Sequence, residues 1–365
     1  MPLDVESPGP LGDDLSARSA QAEQGHPVKT PFWSRNVPKS LTRKVLAATV
    51  LLSTIPVITA LQADSGYGVM QPGPVVKLTD AVSGDRLVPS KDTTGWFAFT
   101  TVEVTELSYL EFIKDRFSAR SAVKLSPATF SQEAKAQMIE SRETASVLAL
   151  RLARQQELSP SGVLVISVLA DSPAAAAGLK SGDVIEMYAG SRIDSPTTLR
   201  TEVISSTAEA SLVVRREKVE LQLTVSPIND RIGVVVSPSY AEALAGLLTI
   251  DTGKVGGPSA GLLMTLATID ALSPGDLTAG LRIAGTGTID QDGRVGQISG
   301  VSLKASAAAR TGAQWFLVPA SLASEIPAYP KMQIKPVRNL TEALTQLCSA
   351  GATDVVCQNL PEVSA

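Results

Sequence analysis

Histidine is almost absent from this chain of 365 residues, and its one histidine, His26, lies in a polar N-terminal stretch. A hydrolytic site in the rest of the chain therefore cannot use imidazole as its general base. Histidine-rich metal sites are excluded there for the same reason, and the sequence contains no Cys-x-x-Cys pair. We therefore expect a chain that uses no metal and no cofactor.

Cysteine and charge are also scarce. The two cysteines, Cys348 and Cys357, would form a disulfide only in an oxidising compartment, and two unpaired thiols are the alternative. Charged residues make up 19% of the chain and the formal net charge is -4, so no basic surface for nucleic acid is expected. A hydrophobic content of 44% over 365 residues favours two or three globular domains.

The N-terminal part of the chain predicts a membrane anchor. Residues 1–42 are polar and without apolar periodicity, which predicts a disordered cytoplasmic tail. An uncharged, mostly apolar run then extends from Val45 to Leu61, and predicts a transmembrane helix over residues 43–63. Basic residues precede this run, so the positive-inside rule predicts a single-pass protein of the cell membrane with an extracytoplasmic catalytic domain. A cleaved signal peptide and a buried core helix are the alternatives.

Residues 64–158 form a mixed extracytoplasmic region that we expect to pack on the C-terminal catalytic domain. A strand is predicted over Phe97–Val104, and a helix from Ser131, a candidate N-cap, to Gln156.

Residues 159–227 have a different, β-rich character. A dense β-branched strand, Gly162–Val168, precedes the runs Ser172-Pro173-Ala174 and Ser181-Gly182-Asp183-Val184-Ile185, and two further strands follow at Leu212–Arg216 and Val219–Val225. This order resembles a PDZ domain of the bacterial protease-associated type. The resemblance implies an open strand edge and an apolar groove that bind extended peptides, with Gly162, Val163, Leu164 and Val165 as the peptide-binding residues. A small β-sandwich without a groove is the alternative.

Ser259 is the candidate nucleophile. It stands in a run of small residues, Gly256-Gly257-Pro258-Ser259-Ala260-Gly261, before an apolar segment with helical spacing. Since Pro258 suits a first helical turn, we place Ser259 at a helix N-terminus, where free N–H groups can hold an oxyanion. Gly257, Pro258 and Ala260 are the predicted supporting residues, because small side chains let a substrate backbone approach. A tight turn or a phosphate loop is the alternative interpretation.

Lys304 is the candidate general base. It is the one lysine between Ser259 and Pro330, and no acidic residue lies between Asp292 and Glu325. A lysine can accept the proton of serine only when it is neutral, so burial must lower its pKa from about 10.4 toward roughly 7–8. A solvated lysine on an alanine-rich helix is the alternative. Lys254, five residues before Ser259, is interpreted as a solvated loop residue.

The segments around both residues resemble the proteolytic domain of Lon-type peptidases. The matching segments are Gly257–Gly261, Ser273–Thr278, Ile283–Gly287, Asp292–Val295, Ala307–Ala313 and Leu317–Pro319. The resemblance implies a Ser259–Lys304 dyad assisted by Thr286. In one respect the chain departs from ATP-dependent Lon enzymes, which place the catalytic lysine two positions earlier, where this chain has Ser302.

We therefore predict an α/β and α+β multidomain protein with an N-terminal transmembrane helix, a PDZ-like domain over residues 159–227, a Lon-type proteolytic domain over residues 228–350 and a C-terminal tail over residues 351–365. No Gly-x-x-x-x-Gly-Lys-Ser/Thr phosphate loop is present, so the peptidase is expected to act without ATP. Its expected partners are protein or peptide substrates and the membrane, and the resemblance implies a homo-oligomer of undetermined size. A catalytically inactive scaffold and a self-cleaving enzyme are the alternative functions.

Overall fold

The computed structural model describes residue 44 and residues 61–85, 87–88, 94–116, 122–124, 128–206 and 208–360. The predicted tail and nearly all of the predicted anchor, residues 43–63, lie outside these ranges. Within them, no helix has the length and apolar character that crossing a membrane requires.

Sixteen strands and eight α-helices are found in these ranges. The strands β1 to β16 are Asp64–Lys77, Val82–Ser83, Trp96–Ser108, Ala122–Lys124, Gly162–Val168, Val184–Tyr188, Ser191–Arg192, Ala210–Arg216, Val219–Val225, Val234–Ser239, Thr249–Ile250, Arg282–Gly285, Thr288–Ile289, Val295–Gly296, Trp315–Pro319 and Gln333–Val337. The helices α1 to α8 are Tyr109–Arg116, Ala128–Arg154, Pro173–Ala176, Pro196–Ser205, Ala241–Leu244, Gly261–Leu272, Val301–Arg310 and Leu340–Ser349. Two 3-10 helices, Ala320–Glu325 and Val355–Gln358, complete the fold.

The larger sheet has six strands in the order β16-β15-β12-β3-β1-β4. Strands β3, β12, β15 and β16 are parallel to one another, and β1 runs antiparallel to both β3 and β4. Parallel neighbours need crossover connections, which α7 provides between β12 and β15. Because β1 and β3 belong to this sheet, residues 64–108 are part of the domain that the sequence placed at 228–350.

Helices cover both faces of this sheet, as the continuous burial of β12 and β15 requires. Ile283 and Leu317 face the core that contains α6, whereas Ala284 and Phe316 face α7. Helix α6 is apolar on all sides, which is the pattern of a fully enclosed helix, and it packs between the sheet and α2. The sheet thus separates α6 from α7, and their side chains can meet only at its edge.

The second sheet is antiparallel, with the order β10-β5-β6-β8-β9 and β7 paired to β6. It encloses its own core, to which α4 contributes Leu199 and Val203. The buried Asp183 accepts hydrogen bonds from Arg216 Nε at 2.7 Å and from the backbone N–H of Lys180 at 2.9 Å. This pairing explains why a Gly-Asp sequence precedes β6: a carboxylate without partners could not remain buried there.

Strand β5 corrects one prediction, because Gly162, Val163, Leu164 and Val165 do not form an open strand edge. They pair with β10 on one side and β6 on the other, and all four are buried. A continuous run of buried β-branched residues is typical of an interior strand. Among the described strands the two edges of the sheet are β9 and β10, and β10, the neighbour of β5, lies beyond residue 227, where the sequence ended this domain.

The two cysteines form a disulfide. Cys348, at the end of α8, is bonded to Cys357 in the last 3-10 helix, with their Cα atoms 5.6 Å apart. Of the two alternatives that the sequence left open, the structure contains the bonded one.

Candidate active site

Ser259 lies in the turn that directly precedes α6. The helix itself begins at Gly261, so Pro258 is outside its first turn, contrary to the sequence-based placement. The turn is closed by a hydrogen bond from the Gly261 N–H to the Pro258 carbonyl at 3.3 Å. Because α6 is buried along its length, this turn is fixed to the core while Ser259 itself stays partly exposed.

Lys304 reaches Ser259 from the other face of the sheet. It lies in the first turn of α7, after Gly300, whose left-handed φ of 69° begins the helix. Its Nζ donates a hydrogen bond to Ser259 Oγ at 2.8 Å, across 45 residues of sequence. The two residues that the sequence predicted as a pair are therefore in direct contact.

Thr286 connects both residues, since it follows the carboxyl end of β12 at the edge where α6 and α7 meet. Its Oγ1 accepts a hydrogen bond from Lys304 Nζ at 3.2 Å and donates one to the Ser259 carbonyl at 3.1 Å. The Gly287 N–H donates to the same carbonyl at 2.8 Å. These bonds fix the backbone of Ser259 and one side of the lysine amine.

The amine of Lys304 lies in a water-poor position, with the residue 3% exposed. Burial lowers its pKa from 10.5 to about 8, because desolvation disfavours the charged ammonium form. Among the described ion pairs none involves Lys304, so no carboxylate there restores the charge. About one tenth of the amine is therefore neutral at pH 7, far more than for an ordinary lysine.

Two backbone donors are available beside the hydroxyl. Within the described residues, the N–H groups of Ser259 and Ala260 donate to no acceptor, whereas those of Gly257 and Gly261 are paired. Free N–H groups in such a turn can stabilise an oxyanion on a substrate carbonyl. Gly257 has a φ of +89° and space around its Cα, so the turn requires glycine for its backbone conformation and not for lack of room.

The other lysine and serine that the sequence considered lie away from this contact. Lys254 is exposed. Ser302 is exposed too, and its Oγ donates to the Glu325 carbonyl at 2.8 Å. Lys304 is thus the lysine that reaches Ser259 in this fold.

Helix α2 supports the Ser259 turn, a role that the sequence did not reveal. The Gly257 N–H donates to the Ala134 carbonyl at 2.7 Å, and Ser141 Oγ donates to the Pro258 carbonyl at 3.2 Å. The residues involved are small or polar residues of an ordinary helical pattern. No local signal distinguishes them, because their function depends on packing against residues more than 100 positions away.

A second site lies at the free edge of β10, beside α4. Val234 and Val236 are half-buried and pack on the core to which α4 contributes. Arg231 is exposed just before this strand, and Gly233 has a φ of +82° with Ser172 directly against its Cα. The open edge that the sequence assigned to β5 is therefore present at β10.

Two known families match the chain. Residues 136–226 match the PDZ domain, and residues 249–349 match the Lon protease (S16) C-terminal proteolytic domain. The fold and these matches define a peptidase of the serine class that carries a PDZ domain. The chain combines the two domains of a PDZ–Lon-type peptidase.

Two of the solved structures that resemble part of the chain are PDZ domains. The PDZ domain of the SdrC-like protein of Listeria monocytogenes is 22% identical and covers 24% of this chain and 97% of its own, with a TM-score of 0.20. The corresponding domain of Listeria innocua is 22% identical and covers 20% and 92%, with a TM-score of 0.19. Scores this low carry no argument about function. No curated protein matches the chain.

Proposed function

We propose that the protein is an ATP-independent serine endopeptidase that uses Ser259 as the nucleophile and Lys304 as the general base. The observation that carries this proposal is the 2.8 Å contact between Lys304 Nζ and Ser259 Oγ at a lysine whose burial lowers its pKa to about 8. A neutral amine at this distance can take the hydroxyl proton as the oxygen attacks a peptide carbonyl.

The reaction then follows in two halves. Ser259 Oγ bonds to the carbonyl carbon, its proton moves to Lys304 Nζ, and the N–H groups of Ser259 and Ala260 stabilise the oxyanion. The scissile C–N bond breaks as the ammonium of Lys304 returns this proton to the leaving amine. Water, deprotonated by the same amine, hydrolyses the acyl-enzyme and regenerates the hydroxyl. Thr286 orients Lys304 and the Ser259 backbone throughout.

The PDZ domain is proposed to recruit extended segments of protein substrates. The support is the free edge of β10, whose unpaired backbone groups can add a peptide as a further strand beside α4. We propose a single-pass membrane protein whose anchor is the apolar run at Val45–Leu61. An extracytoplasmic catalytic domain agrees with the Cys348–Cys357 disulfide, since such bonds persist in oxidising compartments.

The test is cleavage of β-casein, an unfolded protein, by the purified full-length chain without nucleotide. We expect peptide products from the unmodified protein and from Ser302→Ala, a matched control at an exposed serine of the same region. Ser259→Ala should give none while keeping its circular-dichroism spectrum and melting temperature. Equal cleavage by Ser259→Ala would overturn the proposal, and absence of cleavage by every form would favour the scaffold alternative. Retention in the membrane fraction after alkaline carbonate washing tests the anchor.

A further inference from the structure

An open cleft of about 660 Å³ connects the end of β10 with the Ser259 turn. Its walls include Ser237 and Pro238 of β10, Ser141 and Thr144 of α2, and Pro258 next to the nucleophile. This volume lies within the range of roughly 300–1,000 Å³ that is usual for ligand sites. A polypeptide segment in the cleft can therefore extend from the end of β10 to Pro258, along the residues of β13 and β14 that also line it.

Helix α2 is the element shared by both ends of this cleft. At the catalytic end it holds the Ser259 turn through Ser141 and Ala134. At the PDZ end, the Glu143 carboxylate accepts a hydrogen bond from the Tyr240 N–H at 2.6 Å, directly after β10. The Ser239 hydroxyl also bonds to this carboxylate. One rigid helix thus fixes the distance between the peptide-receiving strand and the nucleophile.

Glu143 is an unusual residue for this position, because only 7% of it is exposed and it has no salt bridge among the described pairs. The charged groups that act on it, Glu140 and Arg142, lie on its own helix. From the β10 side it meets the N–H of Tyr240 and the hydroxyl of Ser239. Burying a carboxylate without partners is unfavourable. The two hydrogen bonds from the β10 side are therefore what Glu143 contributes to the structure at this position.

We infer that this cleft receives the substrate segment between the part bound on β10 and the scissile bond, and that Glu143 is the positioning residue that holds β10 on α2. This inference rests on the proposed peptidase function. Breaking the attachment at Glu143 leaves the Ser259–Lys304 contact intact but lets the captured segment and the nucleophile change their relative position. The loss is therefore confined to substrates that bind both sites.

The experiment compares two substrates cleaved by the full-length protein. One is β-casein, and the other is a short fluorogenic peptide spanning a casein cleavage site that mass spectrometry has mapped with the unmodified protein. For Glu143→Ala, we expect kcat/KM on casein to fall by roughly tenfold or more, since an intramolecular delivery step is lost. The kcat and KM of the short peptide should stay unchanged. Glu143→Gln should restore cleavage of casein, because the amide oxygen still accepts both hydrogen bonds.

Glu133→Ala is the matched control, a glutamate of the same helix with no described bond to β10, and it should cleave both substrates normally. If Glu143→Ala fails to fold, Ser239→Ala carries the test, because it removes one of the two donors with little change of volume. Equal loss on both substrates, or loss on neither, overturns the inference. Inactivity of the unmodified protein on both substrates would instead refute the peptidase function itself.

Discussion

Lys304 Nζ and Ser259 Oγ lie 2.8 Å apart, although Lys304 belongs to a helix on one face of the sheet and Ser259 directly precedes a helix on the other face. They meet because Ser259 precedes α6 and Lys304 lies in the first turn of α7, both at the edge where β12 ends. The carboxyl ends of parallel strands are a common place for binding and catalytic sites.

Replacing this lysine should separate activity from stability. Lys304→Met keeps the length of the side chain and removes the proposed base, so we expect cleavage of casein to fall at least about 1,000-fold. Because burial disfavours the ammonium form, the same change should raise the melting temperature at pH 7. Lys331→Met, at an exposed lysine, should alter neither activity nor melting temperature. Residual cleavage close to that of the unmodified protein would exclude Lys304 as the base.

The pH dependence of the cleavage rate should follow the deprotonation of Lys304. Only the neutral amine is active, so kcat/KM for the short peptide should rise about tenfold per pH unit below pH 8 and level off above it. The free energy of unfolding should also rise with pH between pH 8 and 10.5. In that interval the lysine of the unfolded chain still binds a proton that the lysine of the folded protein has released. A rate that falls from pH 6 to 9 would contradict this assignment.

Thr286 provides a test of orientation. Thr286→Val keeps the shape of the side chain but removes the hydroxyl that bonds both Lys304 and the Ser259 carbonyl. We expect kcat to fall by roughly 10–100-fold, which corresponds to the loss of one or two buried hydrogen bonds. Thr286→Ser should recover most of the rate. Steady-state kinetics on the short peptide measure both, and a kcat unchanged in the valine variant would show that Thr286 has no part in the reaction.

Glu143 should lower stability as the pH rises. Its pKa is raised to about 7 by burial, so between pH 4.5 and 7 the folded state binds more protons than the unfolded state. The free energy of unfolding therefore loses up to about 3 kcal/mol over this interval, the equivalent of that pKa difference. In Glu143→Gln this part of the pH dependence should vanish, and the variant should be more stable at pH 8. Denaturant unfolding at several pH values measures the free energy of unfolding of both proteins. If this free energy depends on pH in the same way in both, the raised pKa of Glu143 is disproved.

Local sequence patterns were enough to predict helix α6 and the pair of site residues. The apolar period predicted α6, although Pro258 was placed in its first turn and the helix begins at Gly261. The small residues around Ser259 together with the lone Lys304 indicated a pair. Strand β10 was missed because its partner, β5, lies some 70 residues earlier, and pairing across that distance leaves no local trace.

Glu143 and strand β1 were missed for a related reason. A glutamate in a helical pattern usually faces solvent, and only the packing of β10 against α2 encloses this one. The strand at Phe97–Val104 was predicted, but its place beside β12 depends on contacts formed over almost 190 residues. Such long-range contacts decide which elements share a layer.

Gly162 and Ser239 are neighbours across the β5–β10 ladder, so the chain enters and leaves the PDZ sheet at one point. Opposed residues of an antiparallel pair have Cα atoms about 5 Å apart. Everything between them can therefore be excised and the ends rejoined by a very short linker, without stretching the remaining framework. The recognition unit is exchangeable in this sense, and a grafted domain of different ligand preference would redirect the same hydrolytic centre to new targets.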